Sequence, residues 1–277
     1  MEEFFVENLV LIITKECNLK CKHCCRGESE SSYMADETIE NIFKKINKIG
    51  KLTISGGEPL LSRRTLDIIV KIVQSIKNNN VSVNNVQIVT NGTIYSDEMD
   101  EVLKDLYAIS RYNYYNSLII SDDIFHHSEI DRLGLKEKVE ANITSFKTLA
   151  KELQINFNFN HLHGIEDSGR AKQLDVEKFE RDDSEAEDFI RIGLLDKNIK
   201  ELSISDDGKV TFFCTSYNEI LGKELFNINK TNNVFNEVQK YFDNLPISEL
   251  YERYSKIYKK WFYWIYWCLL ILVLKVS

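Results

Sequence analysis

Hydrophobic positions follow two alternating patterns from the N-terminus to about residue 160. Continuous apolar runs such as LVLIIT at 9–14 and SLIIS at 117–121 have the length and character of strands buried on both faces. Segments such as DETIENIFKKINKI at 36–49 instead place isoleucine and phenylalanine at helical spacing. Strand and helix in alternation predict parallel strands joined by right-handed crossovers. The predicted strands are 9–14, 51–55, 86–90, 117–121 and 154–160, and the predicted helices are 36–49, 64–76, 97–109 and 129–152.

The pattern changes near residue 199. The stretch SISDDGKVTFFC at 203–214 consists of two short strand-like runs around DDGK, which is a hairpin signal. A helical stretch rich in tyrosine and lysine follows and leads into the C-terminus. The sequence therefore predicts an α/β domain over residues 1–198 and a small hairpin-plus-helix appendage over 199–277.

The net charge of the chain argues against nucleic acid as a partner. The 277-residue chain has a formal net charge of −8 and a pI near 5.3. Nucleic-acid binding needs a clustered basic surface, so the composition excludes a large nucleic-acid interface. The N-terminal MEEFFVENLVLIIT has no basic segment ahead of its apolar run, which argues against a secretory signal. We therefore expect a cytoplasmic protein whose cysteines are reduced.

The C-terminal run WFYWIYWCLLILVL at 261–274 is apolar throughout and contains all three tryptophans. As a helix it would reach about 21 Å, against about 30 Å for the hydrocarbon core of a bilayer. This length favours a terminal core helix over a membrane span. Two alternatives stay open: a peripheral membrane anchor with interfacial aromatic residues, and a tail that is not native to the fold.

Four of the six cysteines, Cys17, Cys21, Cys24 and Cys25, stand in the loop after the first predicted strand. Ligands of βα proteins collect at this end of the strands. A structural zinc site needs four protein ligands, commonly as two separated pairs, and the chain has no second C-x2-C pair. The cysteine order of bacterial ferredoxins is absent as well. Inert buried thiols do not suit a polar, lysine-rich loop, so the spacing favours a 4Fe-4S cluster held by three cysteines, with one iron open.

The motif CNLKCKHC at 17–24 resembles the C-x3-C-x2-C signature of the radical S-adenosylmethionine (SAM) superfamily. This resemblance implies a partial (β/α)6 barrel in which Cys17, Cys21 and Cys24 bind the cluster and SAM occupies the fourth iron. It also implies a one-electron donor such as flavodoxin or ferredoxin. The electron splits SAM into methionine and a 5′-deoxyadenosyl radical, which abstracts hydrogen from a substrate. Cys25 is not a ligand in this scheme.

The turn SGGEP at 55–59 directly follows the second predicted strand. Gly56 and Gly57 allow the backbone to approach a ligand closely, and Glu58 with the exposed amides can hold an ammonium group. Pro59 fixes the entry into the next helix. The turn resembles the GGE motif of the same superfamily, which contacts the methionine amino group of SAM.

Three further segments lie at predicted strand ends: TNG at 90–92, SDDIFHH at 121–127 and SGRA at 168–171. Each resembles a segment that lies near the cofactor in this superfamily. An Asn-Gly turn, helix-capping acids and a surface arginine are the alternative interpretations. The resemblance implies that Asn91, Ser121, Asp122 and Arg170 contact SAM.

Three histidines are the candidate catalytic residues. His161 and His163 are two positions apart, so on a strand they face one way, and His126 follows the fourth predicted strand. Imidazoles there could relay a substrate proton near neutral pH. A second metal site and ordinary polar residues leaving the sheet are the alternatives.

The appendage resembles the start of the SPASM or twitch extensions of peptide- and protein-modifying members of the superfamily. It departs from them at Asn227, where a cysteine is expected. Only Cys214 and Cys268 remain, and two thiols cannot complete a cluster that needs four cysteine ligands. We therefore expect a radical SAM oxidoreductase that modifies a peptide or protein during maturation. The alternatives are a small metabolite or lipid as substrate, or a degenerate protein that binds SAM or an iron–sulfur cluster without catalysis.

Overall fold

The computed structural model describes residues 4–161, 169–174, 198–212 and 224–243, and the strands within these ranges form one sheet. The predictions for His163, Cys214 and the tail at 261–274 lie outside the described residues. The strands are β1 Phe5–Ile12, β2 Lys48–Ser55, β3 Ser82–Thr90, β4 Ser117–Ser121, β5 Asn156–Asn160, β6 Asn198–Ile204, β7 Lys209–Thr211 and β8 Phe226–Asn227.

The sheet is parallel from β5 to β6 and has the order β5-β4-β3-β2-β1-β6-β7-β8. Leu9 of β1 is fully buried and lies between Leu52 of β2 and Leu202 of β6, as the continuous apolar runs require. The last two strands, β7 and β8, are antiparallel. All six parallel strands therefore end at the same edge, where the loops after β1 to β4 meet.

Helices connect the first five strands, a further helix follows the last strand, and their apolar residues pack into the core. Each carries its hydrophobic residues on one face, and side chains such as Phe43, Ile69, Leu103 and Phe146 enter the core. The helices are α1 Asp36–Lys45, α2 Arg63–Asn78, α3 Asp97–Tyr107, α4 Ile124–Arg132, α5 Lys136–Leu153 and α6 Val234–Asp243, with short 3-10 turns at Asn113–Tyr115 and Gly169–Gln173.

The helix predicted over 129–152 is wrong in one respect, because the structure has two helices there. α4 ends at Arg132 and α5 begins at Lys136. Gly134 between them has a φ of +66°, which is a conformation that ends a helix and favours glycine. α4 is therefore a separate helix, which begins at Ile124, directly after the end of β4 at Ser121.

The strand β6 belongs to the main sheet. It pairs in parallel with β1 from Phe5↔Asn198 to Leu11↔Ile204 and forms the predicted hairpin with β7 on its other side. The α/β fold with a parallel-rich sheet matches the predicted partial barrel. The division into 1–198 and 199–277 stays a prediction. In the part of the chain that the structure describes, the helices are too short or too polar to cross a bilayer.

Candidate active site

The cysteine loop, residues 13–34, leaves the end of β1 and folds back on itself. Its two arms are joined by backbone hydrogen bonds from Lys15 N to Ser32 O (3.1 Å) and from Glu30 N to Lys15 O (3.4 Å). The loop and the ends of β2 to β5 enclose a cavity of about 230 Å³. Its lining includes the sulfur-bearing residues Cys17, Cys21, Cys24 and Cys25.

Three thiols of this loop influence one another. Burial, with a smaller contribution from the neighbouring thiol of Cys24, raises the pKa of Cys17 to about 11 and that of Cys21 to about 12. Cys17 Sγ also accepts hydrogen bonds from Leu19 N (3.4 Å) and Asn91 Nδ2 (3.8 Å). Several thiolates close together at a partly buried site need a bound cation to balance their charge. Thiolates are soft donors and are the ligands that bind iron–sulfur clusters. The donor set therefore fits a cluster bound by Cys17, Cys21 and Cys24.

The SGGEP turn packs against the cysteine loop. Gly57 N donates to Thr14 O (2.7 Å) and Glu58 N donates to Glu16 O (2.8 Å). A Cβ on Gly57 would lie 2.2 Å from the Glu16 carbonyl oxygen, so the position requires glycine. Sequence reasoning assigned this close approach to a ligand. In the structure the turn approaches the backbone that carries the cysteines, while both glycines also line the cavity.

Glu58 is buried and ties the second strand end to the third. Its carboxylate accepts hydrogen bonds from Leu60 N (2.9 Å), Thr90 Oγ1 (2.7 Å) and Asn91 N (2.7 Å). Burial raises the pKa of Glu58 to about 7, although these three hydrogen bonds oppose the shift. Glu58 lines the cavity, whereas the neighbouring Pro59 is buried behind it.

Asn91 connects the TNG turn to the cysteine loop. Its Nδ2 donates to Asn18 Oδ1 (3.0 Å) as well as to Cys17 Sγ, and its Oδ1 accepts from Thr93 N (3.0 Å) and Thr93 Oγ1 (2.6 Å). Asn18 Nδ2 in turn donates to Thr93 Oγ1 (2.7 Å). The side chain of Asn91 is thus held in a closed network at the cavity wall and orients the first cysteine of the motif.

Asp122 and Asp123, which follow the end of β4, have different surroundings. Ser121 lines the cavity. Asp123 caps α4, with its Oδ1 accepting from Phe125 N (2.9 Å) and His126 N (3.0 Å), as the capping interpretation of this segment predicts. Asp122 instead lies outside the cavity lining and pairs with His127 Nε2 (2.6 Å).

The candidate catalytic histidines occupy different places. His126 lines the cavity, and its Nδ1 lies 2.5 Å from Asp123 Oδ2. His161 is exposed at the end of β5, with its Nδ1 at 3.3 Å from Asp122 Oδ2. The structure therefore does not bring His126 and His161 together.

Sequence reasoning missed the residue that joins His126, which is His23 of the cysteine loop. Its Nε2 lies 3.4 Å from Asp123 Oδ2, and its ring stacks on Phe125 at a centroid distance of 4.8 Å. Burial disfavours the charged carboxylate, but hydrogen bonds from His126 and His23 outweigh it and hold the pKa of Asp123 below its usual range. Possible metal-ligand atoms of His23, Asp123 and His126 all lie within 4.8 Å of one another. His23 directly precedes Cys24, and neither that position nor the spacing DxxH at 123–126 contains a signal that would have joined His23 to His126.

The SGRA segment closes the cysteine loop from the other side. Arg170 N donates to Cys24 O (2.9 Å) and Arg170 Nε donates to Cys21 O (2.9 Å). Arg170 Nη1 lies 3.6 Å from Glu28 Oε2 and is buried without a hydrogen-bond partner among the described residues. Gly169, with a φ of +55°, lies so close that a Cβ would be 2.4 Å from the carbonyl oxygens of both Cys24 and Cys25. The turn therefore holds the last two cysteines by direct backbone contact.

Comparison with known proteins places the cysteine loop in a family. A family model described as the radical SAM superfamily matches residues 11–150. A probable GTP 3′,8-cyclase of Methanocaldococcus jannaschii is 30% identical over 161 residues, which cover 54% of this chain and 51% of the relative. A GTP 3′,8-cyclase of Aliarcobacter butzleri is 29% identical over 179 residues, covering 61% and 51%. The chain thus spans about half the length of the curated relatives that it matches.

A solved structure supports the same fold. Native anSMEcpe with bound AdoMet and Kp18Cys peptide aligns with a TM-score of 0.55 at 16% identity, covering 86% of this chain and 82% of that one. At this identity the likeness shows the fold alone. The family match extends from the end of β1 into α5 and contains the cysteine loop, the SGGEP turn and the TNG turn. The chain belongs to the radical SAM superfamily, and its cofactors are accordingly a 4Fe-4S cluster and S-adenosylmethionine.

Proposed function

We propose that this radical SAM enzyme abstracts hydrogen from a peptide or protein substrate, with Cys17, Cys21 and Cys24 as the cluster ligands. When bound, the cluster and SAM together supply reductive cleavage of the sulfonium and the 5′-deoxyadenosyl radical. The observation that carries this proposal is the gathering of three interacting thiols on the wall of one cavity at the carboxyl end of β1.

The cavity offers groups suited to the polar parts of SAM. Arg170 Nη1 is buried, with an ion pair to Glu28 Oε2 at 3.6 Å but no hydrogen-bond partner among the described residues, and an arginine in such a position suits a carboxylate. Gly56, Gly57 and Ser121 line the same space and can approach a ligand closely. Asn91 and Glu58 also line it, but their polar atoms already bond to the protein, so we assign them to holding the cysteine loop.

The peptide substrate is supported by the hairpin of β6 and β7, which resembles the opening of the extensions on peptide-modifying members of the superfamily. A purine nucleotide is the second candidate, because the curated relatives at about 30% identity are named GTP 3′,8-cyclases. The reaction in either case needs a one-electron donor of the flavodoxin or ferredoxin class. The cytoplasm is the compartment that we propose, because it keeps the thiols reduced.

Anaerobic reconstitution tests the ligand assignment. We expect Cys21→Ala to lose its iron and its brown absorbance, while Cys25→Ala keeps both. Incubation with SAM and dithionite should then release 5′-deoxyadenosine from the wild type and from Cys25→Ala. Loss of the cluster in Cys25→Ala with retention in Cys21→Ala would refute the assignment.

The substrate is tested separately by mass spectrometry. The cluster-loaded enzyme is incubated with SAM and either a panel of candidate peptides or GTP. A peptide product whose mass differs from its substrate, formed only when SAM is present, supports peptide modification. Conversion of GTP with every peptide unchanged would replace the peptide by the nucleotide.

A further inference from the structure

We propose that the outer side of the cysteine loop and the turn between α4 and α5 together form the docking surface for an acidic one-electron donor protein. The inference rests on the proposed reductive cleavage of SAM, which needs an electron from outside the chain. The donor is oxidised by one electron, the cluster is reduced by one, and no bond forms between the two proteins. A surface that serves this transfer has to lie close to the proposed iron ligands and has to leave the cavity open.

Two segments of the chain reverse its overall charge. The whole chain has 43 acidic and 35 basic residues. CNLKCKHCCRG at 17–27 contains three basic residues and no acidic one, and RLGLKEK at 132–138 contains three basic residues and one acidic one. An acidic protein is repelled by a chain of net charge −8 as a whole, so a local excess of positive charge selects the place where it approaches.

The fold brings these two segments together. Leu19 and Cys21 of the cysteine loop are buried in a small apolar cluster. The other buried members of the cluster are Ile130 of α4 and Val139 of α5, which lie on either side of the turn between these helices. The basic residues of both segments therefore border one continuous surface.

Glu129 joins the two segments and is itself hidden. Its Oε2 accepts hydrogen bonds from Lys20 N (3.3 Å) and from Arg132 Nη2 (2.8 Å). The side chain of Glu129 is 11% exposed, whereas that of Arg132 is 56% exposed. The carboxylate thus fixes the backbone of the loop from below, and the cation of the pair is the partner that reaches the surface.

Lys20 and Lys22 stand on either side of Cys21, and both are exposed while the cysteine is buried. Neither lysine forms an ion pair within the part of the chain that the structure describes. Consecutive Cα atoms are about 3.8 Å apart, so each lysine is one residue away from a proposed iron ligand. Electron transfer slows steeply with distance, and a donor held by these two ammonium groups lies where the path to the cluster is short.

The docking surface and the cavity lie on different sides of the loop. Among the described residues, the cavity lining includes Cys21 but neither Lys20 nor Lys22. SAM and a substrate can therefore occupy the cavity while a donor rests on the outside. Leu133, next to Arg132 in the chain and 39% exposed, adds an apolar contact. A small interface with some apolar area and a charged rim is typical of transient electron-transfer complexes, which bury less than about 1,200 Å².

Flavodoxin is the probe that tests the surface with the cluster-loaded enzyme. Its affinity is measured by isothermal titration calorimetry, and 5′-deoxyadenosine release is measured with flavodoxin reduced beforehand to the hydroquinone. Lys20→Glu combined with Lys22→Glu reverses two charges and keeps the backbone bond to Glu129. We expect the Kd for flavodoxin to rise about tenfold at about 0.1 M salt, and the rate at limiting flavodoxin to fall by about the same factor. The difference in Kd should nearly vanish at about 1 M salt, where charges are screened beyond about 3 Å.

Lys77→Glu combined with Lys151→Glu is the matched control. Both lysines are exposed and lie in the last turns of α2 and α5, just before β3 and β5 begin. This variant changes the net charge by the same amount, and we expect it to bind flavodoxin as the wild type does. Dithionite is a small reductant that needs no docking surface, so it should drive 5′-deoxyadenosine release equally in the wild type and both variants.

The outcomes separate this proposal from the proposed function. Absence of 5′-deoxyadenosine from the wild type with dithionite counts against the cleavage, while the calorimetric titration still reports on docking. An unchanged Kd in the Lys20/Lys22 variant, an equal loss in the control, or a wild type that binds no flavodoxin at about 0.1 M salt would each overturn the docking surface. If the charge reversal lowers the iron content, Lys20→Gln combined with Lys22→Gln replaces it, with an expected weakening of about threefold.

Discussion

Gly169→Ala tests whether the SGRA turn holds the cysteine loop. A Cβ there meets the carbonyl oxygens of Cys24 and Cys25 at 2.4 Å and Gly27 N at 2.5 Å, so the two backbone segments must separate. Separation breaks the bonds from Arg170 N to Cys24 O and from Arg170 Nε to Cys21 O, which are worth about 1 kcal/mol each. The left-handed φ of +55° adds roughly 1–2 kcal/mol for a residue with a side chain. The expected loss in the free energy of unfolding is therefore about 3–4 kcal/mol.

Gly134→Ala is the matched control. Gly134 has a similar φ of +66°, but a Cβ there meets nothing within 4 Å, so only the conformational cost of roughly 1–2 kcal/mol applies. The free energy of unfolding is measured by urea denaturation, and iron per chain is measured after anaerobic reconstitution. We expect Gly169→Ala to lose about 2 kcal/mol more than the control and to retain less iron. Equal losses in the two variants would show that the contact with the cysteine loop is not what requires glycine at 169.

Three further predictions concern side chains that hold the strand ends and the cysteine loop, namely Glu58, Asn91 and Asp123. The pKa of Glu58 is raised from 4.5 to about 7, so its contribution to stability is present below about pH 4.5 and is lost as pH rises to about 7. Glu58→Gln should remove roughly 3 kcal/mol of this pH dependence in urea titrations, and an unchanged slope would refute the role of Glu58. Asn91→Leu removes a donor to Cys17 Sγ, so the cluster potential in a redox titration followed by electron paramagnetic resonance should become more negative, and an unchanged potential would contradict that hydrogen bond. Asp123→Ala removes the cap of α4 and should cost about 1 kcal/mol of stability in thermal unfolding, whereas no loss would contradict the capping role.

Local sequence patterns were sufficient to predict the parallel strands and the edge of the sheet at which the candidate active site lies. The runs around Leu9 and Leu118 are apolar because both faces of a parallel strand are buried, so the period of the sequence reports the element directly. The carboxyl ends of such strands share one edge, which is why the cysteine loop, SGGEP and TNG meet in the structure as predicted.

Partners distant in the chain could not be predicted in the same way. Asn8 and Glu201 are 193 positions apart, and no local pattern indicates that β6 pairs with β1. His126 was grouped with His161 because both follow strand ends. The fold-back of the cysteine loop instead places His23 beside it. The break between α4 and α5 does have a local signal in Gly134, which the helical spacing on either side obscured.

The position of β1 has a consequence for the motions of the sheet. Its backbone is hydrogen-bonded to a parallel neighbour on each side, whereas β5 stands at one edge of the sheet and pairs with β4 alone among the described strands. Amide deuterium exchange should therefore be slowest in β1 and should begin at β5. The proposed iron ligands stand in the loop that leaves the strand expected to open last. The edge of the sheet at β5 can therefore open and close again while the start of that loop stays in place.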